Sequence, residues 1–352
     1  MLTRMDEYPI HQTYSTFDHV VDGDPRWFDR FWFIIHDTEG KLCLGHGMGV
    51  YPNLSIMDGW AIVTSNNKQR NIRVSRELFH DREKLTVGPL HAEIVEPLQK
   101  WRLKLDNNDY GFSYDLEFES LAPPYELNPP AFRRFHNVVE TNACHYNQSG
   151  HCHGKVTIDG KTITLNKTRY FAYRDRSWGV RPQVGGPPAG GRIFQEKWPS
   201  PRGNFLLANV GGFHLCYMGG EREDGGRSFM GGVMYNYDQS KQPLRVTDVL
   251  RDFKLSGDRF QGGEALVNLS RGQPLKLSLR RLNTVFLRGG AYSGLDGYYH
   301  GMYRGDFHTE GEVWDLTDQA TLDKISGIND HIVECRLGDQ VGYGVCELYY
   351  HL

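Results

Sequence analysis

Short apolar segments, each ended by a Gly, Asn or Asp turn, recur from one end of this chain to the other, and few folds accept that pattern. Phe31 to Ile35 stops at Asp37-Thr38-Glu39-Gly40, and Lys41 to Val50 returns. Trp60 to Thr64 turns through Asn66-Asn67 into Asn71 to Ser75. Leu90 to Val95, Trp101 to Leu105 and Phe112 to Phe118 continue the series. Lys155 to Ile158 meets Thr162 to Leu165 across Asp159-Gly160, a strong two-residue hairpin signal. Phe205 to Val210, Phe213 to Met218, Phe229 to Tyr237 and Leu275 to Leu282 repeat the theme. Helix periodicity is scarce, with Val74 to Phe79 and Thr317 to Ile325 as two short candidates. Short strands at this spacing predict an all-β fold of antiparallel barrels or sandwiches.

A chain of 352 residues suits roughly two domains of about 150 residues each. Two breakers punctuate it, Pro123 to Pro130 and Gly185 to Gly191. The expected division lies near residue 170, giving units 1–170 and 171–352. The net charge of -3 offers no whole-chain case for nucleic acid. No apolar run approaches the ~20 residues of a spanning helix, so no integral membrane contact is expected. The six cysteines form no CxxC, and Met1 to Ile10 is polar. Reduced thiols in a cytoplasm are therefore expected. Aromatic residues at 12% and 40 glycines suit a β-rich protein with ring-lined cavities. A homodimer is left open, since strand edges cannot be located from sequence.

The most chemically loaded stretch is Tyr173-Arg174-Asp175-Arg176-Ser177-Trp178-Gly179-Val180-Arg181-Pro182. As a strand it has two faces, with Tyr173, Asp175 and Ser177 on one and Arg174, Arg176 and Trp178 on the other. A carboxyl group in an apolar pocket has its pKa raised and can donate a proton near neutral pH. Asp175 is the candidate acid. The alternative is an ion pair from Asp175 to Arg181 or to an arginine across the sheet. The run from Cys144 to Cys152 and His153 also holds His145 and His151. Two of its histidines could bind zinc with a third ligand from elsewhere, but no familiar zinc spacing occurs, and no metal is expected. Gly45-His46-Gly47-Met48-Gly49 is followed by Val50-Tyr51-Pro52-Asn53, which cannot open a phosphate-binding helix. Those glycines predict close approach of a neighbour in a twisted strand. No GxSxG nucleophile elbow occurs.

The run from Tyr146-Asn147-Gln148 through Asp159-Gly160 to the Tyr173–Arg181 stretch resembles a bacterial family related to carotenoid 1,2-hydratase and to a protein named for an attachment locus. Phe31-Trp32-Phe33, Gly47 to Asn53, Asn71 to Glu77, Gly311 to Asp315 and Gly342 to Glu347 look similar too. The resemblance implies two consecutive lipocalin-like antiparallel β-barrel domains with few short helices. The hydratase branch adds water across a terminal isoprenoid double bond, using an aromatic residue and an acid two apart, which Tyr173 and Asp175 match. Its upstream His-x-Trp element is not kept; Tyr146-Asn147-Gln148 stands about there. Arg176-Ser177 replaces the His that follows the family's acid.

These readings together lead to a cofactor-independent lyase or isomerase, hydratase- or cyclase-like. It would act on an apolar unsaturated, isoprenoid- or steroid-like substrate held in a barrel cavity. Asp175, Tyr173 and Tyr146 are the expected catalytic residues, and Gln148, His153, Trp178 and Arg176 the expected substrate contacts. Tyr173 would orient the acid, and Tyr146, Gln148 or His153 would place water or take a proton back. The alternative is a carrier barrel for a hydrophobic small molecule, with no chemistry.

Overall fold

A computed structural model describes residues 4–9, 19–79, 81–127, 130–135, 137–187, 202–222, 224, 226–238, 240–257, 259–292 and 294–350. Thirteen strands fill the first half: β1 (Trp27–Asp37), β2 (Leu42–Tyr51), β3 (Ile56–Ser65), β4 (Lys68–Glu77), β5 (Thr86–Val87), β6 (Leu90–Glu96), β7 (Lys100–Leu105), β8 (Phe112–Ser120), β9 (Tyr125–Glu126), β10 (Ala131–Phe135), β11 (Val138–Ile158), β12 (Lys161–Leu165) and β13 (Tyr170–Val180). The second half holds β14 (Arg202–Val210), β15 (Phe213–Glu221), β16 (Arg227–Asn236), β17 (Leu244–Ser256), β18 (Arg259–Leu269), β19 (Leu275–Phe286) and β20 (Phe307–Asp315). One helix, α1 (Gln319–Ile325), precedes β21 (Asn329–Leu337) and β22 (Gln340–Tyr350).

The fold is all-β, as the turn-punctuated strands predict. Strands β14 to β19 with β21 and β22 close an antiparallel barrel, while the others form one long sheet ordered β20-β4-β3-β2-β1-β13-β11-β8-β7-β6-β5. This first sheet ends in two edges and is left open rather than closed. The Asp159-Gly160 hairpin is present, with both residues at positive φ (49° and 77°) and Ile158 paired with Lys161. That is the twist-matched two-residue turn. Residues 74–77, expected to be helical, belong to β4 instead. Val74 there pairs with Gly59 on one side and Thr309 on the other, and two ladders outweigh a weak local preference. The division expected near 170 falls at the start of β13, which pairs with β1 and β11 in the first sheet. Part of the glycine breaker, residues 188–191, lies outside the described residues. No described helix is long and apolar enough to cross a membrane. No disulfide joins any of the six cysteines.

Strand β20 returns from the second half to the first sheet because β4 carries buried charge that it satisfies. Arg73 bonds Glu310 at 2.9 Å and Glu312 at 2.5 Å, and Asn71 donates to Glu312 at 2.8 Å. Three apolar clusters follow from period-2 alternation. Phe31, Phe33 and Ile35 of β1 point into the first sheet with Trp101, Leu103 and Phe118. Leu206, Ala208, Leu215 and Cys346 fill the barrel with Phe260. Trp32, Ile34, Trp60, Tyr173, Phe205, Leu207 and Val345 pack between the two. Among the described residues, side chains pack both interiors, and a cavity lies between them.

The glycine-rich β2 has the predicted close neighbour. A Cβ on Gly47 would stand 2.5 Å from the Trp60 ring, and one on Gly45 2.7 Å from it. The indole lies against bare backbone. Gly47→Ala is therefore expected to cost about 1–3 kcal/mol by overpacking, read as a lower urea midpoint with an unchanged slope.

Candidate active site between the two sheets

A cavity of about 380 Å³ opens where β1, β13 and β11 of the first sheet face the outer wall of the barrel. That size falls within the usual range for small-molecule sites. Register sets its chemistry. Asp175 on β13 pairs with Trp32 on β1 and Asn147 on β11, and Ser177 pairs with Arg30 and His145. Alternation then turns Arg30, Trp32, His145, Asp175 and Ser177 to the same side, where they line the cavity. The barrel answers with Phe205 from β14 and Glu347 from β22. Val345 and Glu347 point outward, whereas Cys346 and Leu348 point into the barrel core.

Two carboxyl groups here, Glu347 and Asp330, feel each other's charge and that of a third. Glu347 is pushed up to about 7, by burial first and by Asp175 second, with Arg181 opposing. Asp330 is raised well above the carboxylate range by burial and by Glu347. Its Oδ2 accepts the Trp32 indole N–H at 3.2 Å. Like charges packed in an apolar setting cannot all ionise, so at least one proton is retained near neutral pH. The third group, Asp175, has its Oδ2 3.1 Å from His145 Nε2.

Cations and phenols form the other end. Arg30 Nη1 lies 2.8 Å from His300 Nδ1, and His300 Nε2 lies 2.5 Å from the Gly290 carbonyl oxygen. The tautomer satisfying both contacts carries its proton on Nε2, so Nδ1 accepts from Arg30. Burial, then Arg30 and Arg181, drives His300 well below the ordinary imidazole range, so it is neutral. The segment carrying Tyr292, Tyr299 and His300 is pinned by Asp58, which accepts the Gly301 N–H at 2.7 Å and the Tyr51 hydroxyl at 3.1 Å. Arg30 lies 5.0 Å over the Tyr292 ring, and Arg181 4.7 Å over Phe28.

Of the residues singled out in the sequence, Asp175 lines this cavity. Tyr173 shares its face one step along the strand, but its hydroxyl donates to the Tyr343 carbonyl at 2.7 Å and accepts from Asn209 at 3.2 Å. Tyr146, Gln148 and Arg174 lie together on the other side of the sheet. The Tyr146 hydroxyl donates to Glu7 at 2.8 Å. Gln148 donates to the Leu98 and Ala122 carbonyls and accepts from Arg174. Arg176 pairs with Asp29 and donates to the Arg30 carbonyl at 2.9 Å, and Trp178 lies on the same face, 5.9 Å from the Arg176 guanidinium. His153 is near Glu117 at 3.5 Å, part-exposed on the β8 side. His145 and His151 are six residues apart on β11, on the order of 20 Å along a strand, so these histidines do not converge. Among the described residues no cluster of three or more His, Cys, Asp or Glu could hold a metal ion.

Asp330, Arg30 and His300 were not singled out from the sequence; Arg181 was named only as a candidate ion-pair partner of Asp175, and Glu347 only within the Gly342 to Glu347 stretch. A signal existed for Glu347 in Val345-Cys346-Glu347-Leu348, where one charge interrupts an apolar strand. Asp330 and His300 carry no such mark.

In overall shape the chain is similar to several solved structures. A "putative AttH" from Nitrosomonas europaea superposes with a TM-score of 0.55 at 12% identity, covering 92% of this chain and 93% of that one. Kievitone hydratase from Nectria haematococca gives 0.51 at 10% identity, covering 98% and 97%. CghA gives 0.51 at 10% identity, covering 93% and 88%. At such identities the likeness is one of fold. No curated protein matches the sequence. Residues 2–350 match a single family over almost the whole chain, and the protein belongs to it: Family of unknown function (DUF8625).

Proposed function

We propose that this protein is a cofactor-independent acid–base catalyst of the lyase or isomerase type, acting on an apolar unsaturated substrate in the inter-sheet cavity. The observation that carries this reading is that Glu347 and Asp175 line the cavity beside aromatic rings, with Asp330 bonded to Trp32 and Glu347 poised near pH 7. A general acid works best with a pKa close to the working pH. Glu347 would give its proton to an alkene or enol carbon, leaving positive charge on the neighbouring carbon. The faces of Trp32, Phe28 and Tyr292 would stabilise that charge. Asp175 would then take a proton, either from water adding to the cation or from the adjacent carbon. The first outcome is hydration and the second isomerisation; internal attack by a second double bond is cyclisation. The proton returns to Glu347 through solvent. Hydratase chemistry in one protein of this fold agrees with the reading, and isoprenoid- or steroid-like substrates are the class we place first.

Incubation in deuterium oxide with a panel of acyclic and cyclic unsaturated compounds tests the proposal, with products read by mass spectrometry. Deuterium incorporation is expected, and Asp175→Asn is expected to lower it about 10²–10⁴-fold. Full incorporation in that variant would remove Asp175 from the mechanism. The rival reading, a carrier that only binds its ligand, would show retained ligand with no incorporation. A carrier has no need for coupled buried carboxyls, which cost stability when they ionise.

A further inference from the structure

Arg181 is bonded differently from the arginines around it. Arg30 has His300, Arg174 has Glu7 and Gln148, and Arg176 has Asp29. The Arg181 guanidinium lines the cavity, and among the described residues none supplies it with a hydrogen-bond acceptor or an ion-pair partner. Its Cζ lies 4.7 Å from the centre of the Phe28 ring. Burial and the like charge of Arg30 pull it down to about 10, so it still carries its charge at neutral pH. Asp175 and Glu347 act on it across the cavity without bonding it, and a cation that faces a cavity with no direct partner is a place where a ligand completes the pair.

We propose that Arg181 anchors an anionic oxygen of the substrate, a carboxylate or an enolate, so that the cavity takes an apolar unsaturated compound with an acidic oxygen at one end. This rests on the cavity being the reaction site described above. A guanidinium with one face on a ring keeps its edge donors for a planar acceptor, the geometry of a two-oxygen anion. Tyr292, which burial keeps protonated, stands at the same wall as a further donor. Arg181 also lowers the pKa of Glu347, so the two groups sense each other across the cavity. Neutralising Arg181 with an anion would therefore favour the protonated acid. The substrate would bring its own switch for the proton donor.

Binding of paired probes by calorimetry tests this without any turnover. 2-Naphthoate is compared with 2-naphthamide for the carboxylate, and 4-hydroxycoumarin with 4-methoxycoumarin for the enolate. The full chain is expected to bind the anion about 10- to 100-fold more tightly than its neutral partner in at least one pair. The preferred pair tells carboxylate from enolate. Arg181→Met breaks no hydrogen bond among the described residues and is expected to fold and lose the preference. Arg181→Lys keeps the charge without the fork and is expected to keep part of it. Equal binding of anion and neutral partner, no binding of any probe, or an unchanged preference in Arg181→Met overturns the inference. Repeating the comparison in Glu347→Gln separates the two proposals. An intact preference there with no deuterium incorporation by the parent protein leaves the anion site standing and removes the acid.

Discussion

Glu347→Gln is expected to slow proton transfer by orders of magnitude and, at pH 8, to make the protein more stable than its parent. Both results have one cause. Burial and Asp175 raise Glu347 from its ordinary 4.5 to about 7. A carboxyl whose folded pKa lies above its unfolded value favours the folded state fully below the unfolded value. That advantage is lost as pH rises to about 7, and above this the full cost of the buried charge remains. The shift corresponds to up to about 3 kcal/mol. Gln keeps the shape and never ionises, so its gain should be largest at pH 8 and vanish near pH 4. Urea unfolding at pH 4, 6 and 8 measures the gain. Turnover should fall about 10²–10⁴-fold, and in the parent it should decline above pH 7 as the acid loses its proton. A variant that loses activity and stability together at pH 8 would mean that Glu347 is a structural partner.

Glu7→Ala is expected to have the largest effect on folding. The 3-10 turn Arg4–Glu7 inserts this carboxylate into the first sheet. Arg174 Nη1 and Nη2 donate to it at 2.8 and 3.0 Å, with further bonds from Tyr146 and the Leu98 N–H. The guanidinium itself lies within 5.8 Å of the Phe33, Trp101, Phe118 and Tyr146 ring centres. Burial opposes the charge on Glu7, but Arg174 and the hydrogen bonds outweigh it and hold the carboxyl below its ordinary range. Removing it strands a fully buried cation, at a cost of about 3–5 kcal/mol and a fall in Tm on the order of 10 °C. Its contribution has the opposite pH sense to that of Glu347. It is present above pH 4.5 and is lost as pH falls through the depressed folded value. The double variant Glu7→Met/Arg174→Met should recover part of the loss, because an apolar pair leaves no charge unpaired. A loss below about 1 kcal/mol in Glu7→Ala would show that water reaches Arg174 and replaces the carboxylate.

The acid-arginine strand explains why one part of the site was readable and another was not. Alternation along Tyr173 to Trp178 separates Asp175 from Arg174 and Arg176, and the structure keeps that separation. Which face meets a cavity cannot be read from alternation. Arg176, Tyr146 and Gln148 look equally chemical in sequence, yet they serve Glu7, Asp29 and backbone carbonyls on the far side. The partner that orders them, Glu7, lies more than a hundred residues away in the chain.

What the sequence determined by itself is local and periodic: an all-β chain, the Asp159-Gly160 hairpin, the close approach at Gly47, and Asp175 on the face opposite Arg174. Those features rest on φ preferences and period-2 alternation, which neighbouring residues dictate. The tertiary structure decided the rest. It left the first sheet open, brought β20 back to it through Arg73, and set Glu347 and His300 around one cavity with Asp175. Proton affinity depends on burial and on charges that folding brings near, and a linear chain carries no record of either.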